Sequence, residues 1–167
     1  NLTAQEDGLG HRIRYTYNAR NLKNSRQDTG SADEENFAAP KETYLYTADG
    51  LIASKTDRNG IATTYTYDGL GRLITEQADS DQKQYTYDIL GNVLTTTDST
   101  LRNTEPTAVW ENSTTTTRSY DAEGRVLTKE VSGIGTVSYE YDLFLGNGSL
   151  GERSVAPDGS ITETRYD

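Results

Sequence analysis

The carboxylates are the side chains of this chain that could most readily do chemistry. It has 26 Asp and Glu against 16 Lys and Arg, a formal net charge of −10. Two carboxylates about 5 to 9.5 Å apart are sufficient for glycoside hydrolysis. Most of the Asp residues, however, stand where turns are predicted, and the local hydrogen bonding of a turn accounts for them. No unexplained acidic pair remains, so the sequence predicts no catalytic residue and no enzyme activity.

Metal and cofactor chemistry has little support either. His11 is the only histidine, which excludes His-rich metal sites and His-paired nucleophiles, and we expect it at the surface near a turn at residues 8–10. Oxygen-rich segments at 57–60 and 79–81 lack the consensus of a helix-loop-helix calcium site. The chain has no Cys and so no disulfide or thiolate site. The sequence predicts no metal and no cofactor.

Composition limits the partners and the fold class. The acidic balance and singly scattered Lys and Arg oppose nucleic-acid binding, and no apolar run is long enough for membrane insertion. Only 32% of residues are hydrophobic, yet 12 are Tyr, and Thr, Val and Ile are frequent. Disordered chains lack these aromatic and β-branched residues. The composition therefore indicates a folded, β-rich protein.

All twelve tyrosines fall into one recurring unit. Its clearest copies read Tyr-Thr-Tyr-Asp-Gly-Leu-Gly-Arg-Leu at 65–73 and Tyr-Thr-Tyr-Asp-Ile-Leu-Gly-Asn-Val at 85–93. Consecutive anchors here are 21 and 20 residues apart (67−46 and 87−67), and insertions lengthen other copies. The anchor tyrosines are Tyr17, Tyr46, Tyr67, Tyr87, Tyr120, Tyr141 and Tyr166.

Each position of the unit has a structural reason. Tyr at an anchor and two residues before it has the period of a strand, which places both rings on one face. An Asp after the anchor opens a turn, and a residue four past the anchor needs positive φ. The turn aspartates are Asp68, Asp88, Asp121 and Asp142, and Asp7, Asp57, Asp79 and Asp98 mark the next turn. The positive-φ positions are Gly50, Gly71, Gly91 and Gly124, with Asn21 in the first copy.

The predicted fold is all-β, with tandem antiparallel hairpins forming one continuous, curled sheet. A lone hairpin is unstable, so each copy must pair with the next, and twist accumulates across the strands. Residues 1–167 form one segment of about six to seven repeats, with longer loops at 26–43 and 99–118. The first loop includes 33–37, and the second includes Pro106 and Trp110. Trp110 is the best candidate for an exposed contact to a glycan or partner.

The motif Tyr-Asp-x-x-Gly-Arg-Leu at 67–73, with variants at 87–93 and 120–126, resembles the YD repeat of the Rhs family. This family includes bacterial Rhs polymorphic toxins, the C subunits of Tc toxins, wall-associated proteins and teneurins. The resemblance implies a β-ribbon that spirals into a hollow shell, which in the toxins encloses a C-terminal toxic domain. The family's self-cleavage motif, typically Asp-Pro-x-Gly-Leu, has no match; the nearest segment is Ala-Pro-Asp-Gly at 156–159. No self-cleavage is assigned.

The sequence and the resemblance together predict a structural segment of a secreted or cell-surface protein. It would form part of a toxin-enclosing shell or of an extracellular fibre, with neighbouring repeats of the same or an identical chain and an enclosed toxin domain as partners. The alternative is a carbohydrate-binding or adhesion module. Asn1 corresponds to Asn92, and the chain stops before the glycine of its last unit, which indicates either a fragment of a larger repeat protein or a repeating stretch that assembles end to end. Asn-x-Ser/Thr triplets at Asn1, Asn112 and Asn147 matter only in a eukaryotic secretory pathway.

Overall fold

The computed structural model describes residues 1–31, 36, 38–104, 107–146 and 148–166. These residues form fourteen β-strands. The described part of the chain contains no helix that is long and apolar enough to span a bilayer. The strands are β1 Ala4–Glu6, β2 His11–Tyr17, β3 Lys23–Ser31, β4 Lys41–Tyr46, β5 Ile52–Thr56, β6 Ala62–Tyr67, β7 Leu73–Ala78, β8 Asp81–Tyr87, β9 Val93–Thr104, β10 Thr107–Tyr120, β11 Val126–Val131, β12 Gly135–Phe144, β13 Leu150–Val155 and β14 Ile161–Arg165.

The chain divides into two compact units, residues 1–80 and 81–167. In the first unit β1 to β7 lie in chain order, and each strand pairs antiparallel with the next. Strand β6 shows the alternation that the tyrosine spacing predicts: Thr63, Tyr65 and Tyr67 are partly buried, whereas the residues between them are exposed. The period of two thus separates a tyrosine face from a more open face.

The second unit repeats this arrangement with β8 to β14, again antiparallel and in chain order. The prediction of an all-β chain of tandem antiparallel hairpins is therefore confirmed. Within each unit, close backbone contacts join strands that are neighbours in the sheet.

The two predicted loops differ from the structure. Residues 99–104 and 107–118 lie in β9 and β10, which pair as a long hairpin with Thr104 opposite Thr107. Residues 26–31 and 41–43 likewise belong to β3 and β4. The β-branched run of threonines at 114–117 favours strand over loop. The acidic positions 33–35, Phe37 and Pro106 lie outside the described residues.

The structure also differs from the prediction that Asp98 marks a turn. It lies inside β9 rather than in a turn, opposite Lys83 of β8, and its carboxylate is 3.2 Å from the Lys83 ammonium. Asp98 is followed by a Ser-Thr-Leu sequence without Gly, Asn or Pro, and so lacks the residues that would close a turn.

Few side chains of the described residues are fully buried. Tyr44 and Leu145 are the buried hydrophobic residues, and Thr29 is completely enclosed, with its hydroxyl donating to the Arg12 carbonyl at 3.2 Å. Strand pairing and side chains that bridge adjacent hairpins stabilise each unit internally.

Candidate functional site

The turns that follow the anchor tyrosines share one hydrogen-bond pattern. At the Tyr67 turn, the N–H of Asp68 donates to the Arg72 carbonyl at 2.9 Å, and the N–H of Gly71 donates to the Asp68 carbonyl at 3.0 Å. The same two bonds close the turns that begin at Asn18, Thr47, Asp88 and Asp121. Positive φ is confirmed at Asn21 (61°), Gly50 (88°), Gly71 (80°), Gly91 (94°) and Gly124 (81°).

The carboxylate of Asp68 completes its turn. Its Oδ1 accepts the N–H groups of Leu70 and Arg72, both at 2.9 Å, and its Oδ2 accepts Nε of Arg72 at 2.7 Å. In the Asp121 turn, Arg125 Nε donates to Oδ2 at 2.7 Å, and in the Asp88 turn the Asn92 amide donates at 2.8 Å. The residue after the turn glycine therefore has a role that sequence reasoning missed, although its fixed spacing from the Asp was visible in the motif.

These hydrogen bonds keep the turn carboxylates ionised. The backbone N–H of Arg72 holds the pKa of Asp68 below its ordinary value of 3.8, and the side-chain amide of Asn92 does the same for Asp88. Partial desolvation raises the pKa of Asp121, but the hydrogen bonds from Arg125 outweigh it and the net shift is downward. A general acid at neutral pH needs a raised pKa, and the shifts of these three carboxylates are in the opposite direction.

The turns that connect one hairpin to the next have the same hydrogen-bond pattern at Asp7 and Asp57. Asp57 donates its N–H to the Ile61 carbonyl at 2.9 Å, and its Oδ1 accepts from Asn59 and Ile61. Asp7 holds the turn before His11 in the same way, and the exposed His11 ring lies 3.2 Å from the Asp7 carboxylate. Asp79, by contrast, itself has a positive φ of 47°.

Asp142 does not open a turn, contrary to the sequence prediction. It lies in β12 with φ at 56°, where the pairing register shifts between Glu140 and Leu143. Its carboxylate accepts Nη1 of Arg125 at 2.6 Å. The turn comes later, where the Leu145 N–H donates to the Ser149 carbonyl at 2.9 Å. The position four past Tyr141 is Leu145 rather than Gly, and a branched side chain disfavours the positive φ that the usual turn requires.

Hydroxyls of the anchor tyrosines connect each hairpin to the one before it. The Tyr67 hydroxyl donates to the Ile52 carbonyl at 2.8 Å, and the acceptor is six residues past the preceding anchor, Tyr46 (52−46). The same relation holds for Tyr46 with Lys23 at 2.6 Å, Tyr120 with Val93 at 2.6 Å and Tyr141 with Val126 at 2.8 Å. Tyr17 donates to the Leu2 carbonyl at 2.7 Å. We call these bonds the tyrosine clamps.

Tyr87, Tyr166 and Trp110 are the other aromatic residues that the sequence analysis singled out. Tyr87 lies in β8 opposite Val93, and the Tyr166 N–H donates to the Leu150 carbonyl at 3.0 Å. Trp110 lies in β10 opposite Leu101 and is partly buried, so it is less exposed than a ligand-stacking residue was expected to be. Its role as a glycan or partner contact stays a prediction.

Paired hydroxyls cross the face opposite the tyrosines. Thr16 and Ser25 are 2.7 Å apart in the first unit. In the second unit Thr86 and Thr95 are 2.6 Å apart, and Ser119 and Thr128 are also 2.6 Å apart. Each pair joins the residue directly before an anchor tyrosine to the residue eight positions after that tyrosine (25−17, 95−87 and 128−120). Cross-strand hydroxyl pairs of this kind stabilise sheets, and their regular spacing was a signal that sequence reasoning did not use.

Comparison with known proteins agrees with this geometry. Residues 46–84 match the family model described as RHS Repeat, whereas no curated protein matches the sequence. The crystal structure of TcdB2-TccC3 without its hypervariable C-terminal region is similar over 98% of this chain, at 19% identity and a TM-score of 0.69. This chain spans 9% of the length of that one.

Two further crystal structures match less well. TcdB2-TccC3-TEV and TcdB2-TccC3 match 90% and 95% of this chain and 11% of their own chains, each at 14% identity. Their TM-scores of 0.38 and 0.39 are too low to indicate a shared fold. The match at 0.69 shows the fold of the chain, and the family model identifies a repeat within it. The resemblance to the Rhs/YD-repeat family is therefore confirmed by sequence for residues 46–84, and nearly the whole chain shares the fold of the matched part of the TcdB2-TccC3 structure.

Proposed function

We propose that this Rhs-type structural segment forms part of the wall of a secreted or cell-surface protein, either a β-shell that encloses a toxin domain or an extracellular fibre. The proposed partners are neighbouring repeats and the enclosed domain. The role requires no catalytic group. It would be performed by strand pairing and by the side chains that join successive hairpins.

The tyrosine clamps are the observation that carries this proposal. Each clamp uses a side chain of one hairpin and a backbone carbonyl of the preceding one, so it stabilises the stacking of repeats rather than the fold of a single hairpin. The turn carboxylates are likewise engaged in their own turns. The residues that recur in every copy thus build a repetitive sheet, as in other repeat proteins whose units contact only their neighbours.

The polarity of both faces also supports a wall. Within each unit, close backbone contacts join strands that neighbour one another in the sheet. One face presents tyrosines with charged residues such as Arg26 and Glu42 among them, and the other presents the paired Thr and Ser hydroxyls. A sheet that is polar on both faces can have water on both sides, as the wall of a shell must, whereas a sheet that packs on a core has an apolar face.

A carbohydrate-binding or adhesion module is the alternative. It would require exposed aromatic rings: Phe144 is 82% exposed, whereas Trp110 and Tyr67 are partly buried and Tyr44 is buried. The clamp hydroxyls of Tyr46 and Tyr67 are already bonded within the sheet. These features favour the structural role.

Electron cryomicroscopy of the protein purified from its producing cells tests the proposal. Hollow shells or filaments are the expected result, and the two forms distinguish enclosure from a fibre. A compact monomer without internal volume, together with a specific hit in a glycan screen, would replace the structural role with the binding module. Fractionation of the same cells tests the location, since the proposal requires the protein in the medium or at the cell surface.

A further inference from the structure

The β9–β10 hairpin extends beyond both of the strands that flank it. Pairing with β8 reaches only as far as Thr100 of β9, and pairing with β11 begins only at Thr116 of β10. Strands β9 and β10 continue to pair with each other until Thr104 lies opposite Thr107. Residues 101–104 and 107–114 therefore form a two-stranded arm beyond the neighbouring strands.

The strand β10 side of this arm has backbone groups that face away from β9. In an antiparallel pair, residues that exchange hydrogen bonds with the opposite residue alternate with residues whose N–H and carbonyl point outward. Thr104 and Thr107 flank a two-residue connection, so they are a pair that exchanges hydrogen bonds. The next outward positions along β10 are therefore Ala108 and Trp110.

The base of the arm shows how such outward groups are satisfied elsewhere. Thr115 is also directed towards β11, and its N–H donates to the Ser132 hydroxyl at 2.9 Å while its carbonyl accepts the Ser132 N–H at 2.9 Å. The chain then turns back into β12. No strand of the described part of the chain pairs with Ala108 or Trp110 on this side.

The composition of this open edge favours pairing with another strand. A two-stranded ribbon is marginally stable alone, and an open edge recruits a strand unless Lys, Pro or a bulge protects it. Residues 107–111 read Thr-Ala-Val-Trp-Glu and contain neither Lys nor Pro. A bulge follows them, where Asn112 has φ at 52° and the register with β9 shifts. The bulge ends the segment available for pairing but leaves residues 107–111 open.

This segment is complementary to a second copy of itself in the antiparallel orientation. When Val109 lies opposite its own equivalent, Trp110 lies opposite Ala108 of the partner subunit, so a large side chain meets a small one in both pairs. The same register joins all the outward groups of Ala108 and Trp110 in four hydrogen bonds. The two Glu111 positions are then four residues apart along the strands, about 14 Å, which exceeds the screening length of about 10 Å at 0.1 M salt.

We propose that this chain forms a dimer in which residues 107–111 of two copies pair antiparallel along the open edge of β10. The pairing is two-fold symmetric and uses each edge once, so it closes at two copies. The contact is short, and the dimer is accordingly weak and dependent on protein concentration. This association goes beyond the proposed wall and is compatible with either form of it.

Sedimentation velocity of the whole chain at increasing protein concentration tests the dimer. The dimer fraction should rise with protein concentration. It should also rise with salt, because salt screens the repulsion between two chains that each have a net charge of −10. A monomer at every protein and salt concentration would overturn the proposal and leave the edge to a strand of another protein.

The variant Ala108→Pro tests whether this edge makes the contact. It removes one outward N–H from each copy and so two of the four hydrogen bonds, which should weaken the dimer about fivefold or more. Asn103→Pro is the matched control. Asn103 lies opposite Ala108 and is directed outward from the other edge of the same arm, where the dimer makes no contact. Equal weakening by both variants, or none by Ala108→Pro, would contradict the assignment.

NMR of the unaltered protein keeps the test decisive even if a proline variant folds poorly. An equal mixture of ¹⁵N-labelled and ¹³C-labelled chains reports contacts between copies only. Cross-peaks between Trp110 of one copy and Ala108 of the other are expected at concentrations where the dimer is present. Cross-peaks confined to other parts of the chain would show a different interface and overturn the proposed pairing.

Discussion

The hydroxyl of Tyr141 donates a 2.8 Å hydrogen bond to the carbonyl oxygen of Val126, which lies in the preceding strand β11. Tyr139, two residues earlier in the same strand β12, donates no side-chain hydrogen bond to any residue that the structure describes. One strand thus contains a clamped and an unclamped tyrosine. Comparing substitutions of these two tyrosines therefore separates the contribution of the hydroxyl hydrogen bond from that of the ring.

Replacing Tyr141 with Phe should lower the free energy of unfolding by about 1 kcal/mol, the usual net contribution of one hydrogen bond. We expect this size of effect because the hydrogen bond is partly buried and the Val126 carbonyl would lose its tyrosine partner. The melting temperature would fall by about 2–4 °C for a chain of this size. Tyr139→Phe is the control and should change the melting temperature little. Equal effects of the two variants would show that the clamp contributes nothing of its own.

Replacing Gly71 with Ala should cost about 1–2 kcal/mol, because its φ of 80° is in the left-handed region that a Cβ disfavours. Space is not the cause, since the nearest atom to an added Cβ is Leu51 Cδ1 at 3.6 Å. Gly71→Asn should cost less, as Asn21 occupies the equivalent position naturally with φ at 61°. Gly69→Ala, in the same turn without positive φ, is the control. Denaturant titration measures all three, and an equal cost for Ala and Asn at 71 would contradict the conformational explanation.

Stability should fall in acid through the turn carboxylates. The folded pKa values of Asp68, Asp88 and Asp121 lie below the ordinary 3.8. Their contribution is therefore complete above the unfolded pKa and is lost as the pH drops through the lowered folded values. The triple variant D68N/D88N/D121N keeps an acceptor in each turn, as Asn18 does naturally by accepting from Arg20 and Leu22. Its melting temperature should depend less on pH below about 4 than that of the unaltered chain; parallel curves for the two proteins would rule out the carboxylates as the cause.

Replacing Gly151 with Ala should destabilise the second unit by about 1–3 kcal/mol through overpacking. An added Cβ would overlap the Thr164 carbonyl oxygen and come within 2.7 Å of Leu145 Cδ1. The backbone of β14 would have to move away from β13 to admit it. Gly146→Ala is the control, because nothing lies within 4 Å of a Cβ there. Thermal melts compare the two variants, and similar melting temperatures would show that β14 yields without cost.

Local patterns were sufficient to predict the hairpins. A two-residue tyrosine spacing and a glycine four past the anchor depend only on strand geometry and backbone conformation, and both appear at Tyr67 and Gly71. The same rule, applied strictly, would have excluded a turn at Asp142, because Leu145 stands where glycine is required. The strand at 107–118 was missed for a different reason, since spacing between anchors was given more weight than the β-branched run within the insert.

Interactions between hairpins could not be predicted in this way. The acceptor of a tyrosine clamp is a backbone carbonyl, and its choice depends on the register between two strands that the sequence leaves open. The ion pairs of Glu42 with Arg26 and Lys55 have the same origin, because these residues come from three different strands. Their proximity follows from pairing of β3 with β4 and of β4 with β5.

The short reach of the tyrosine clamps bears on how such chains can evolve. Each clamp involves a hairpin and its immediate predecessor, so a duplicated or deleted copy of the unit changes the partner only of the clamp at the junction. Gene duplication can then lengthen or shorten the protein in steps of one hairpin without compensating substitutions elsewhere. Selection on the size of the assembly would act on the number of copies, while selection on each copy preserves little more than a tyrosine, a turn and a free carbonyl.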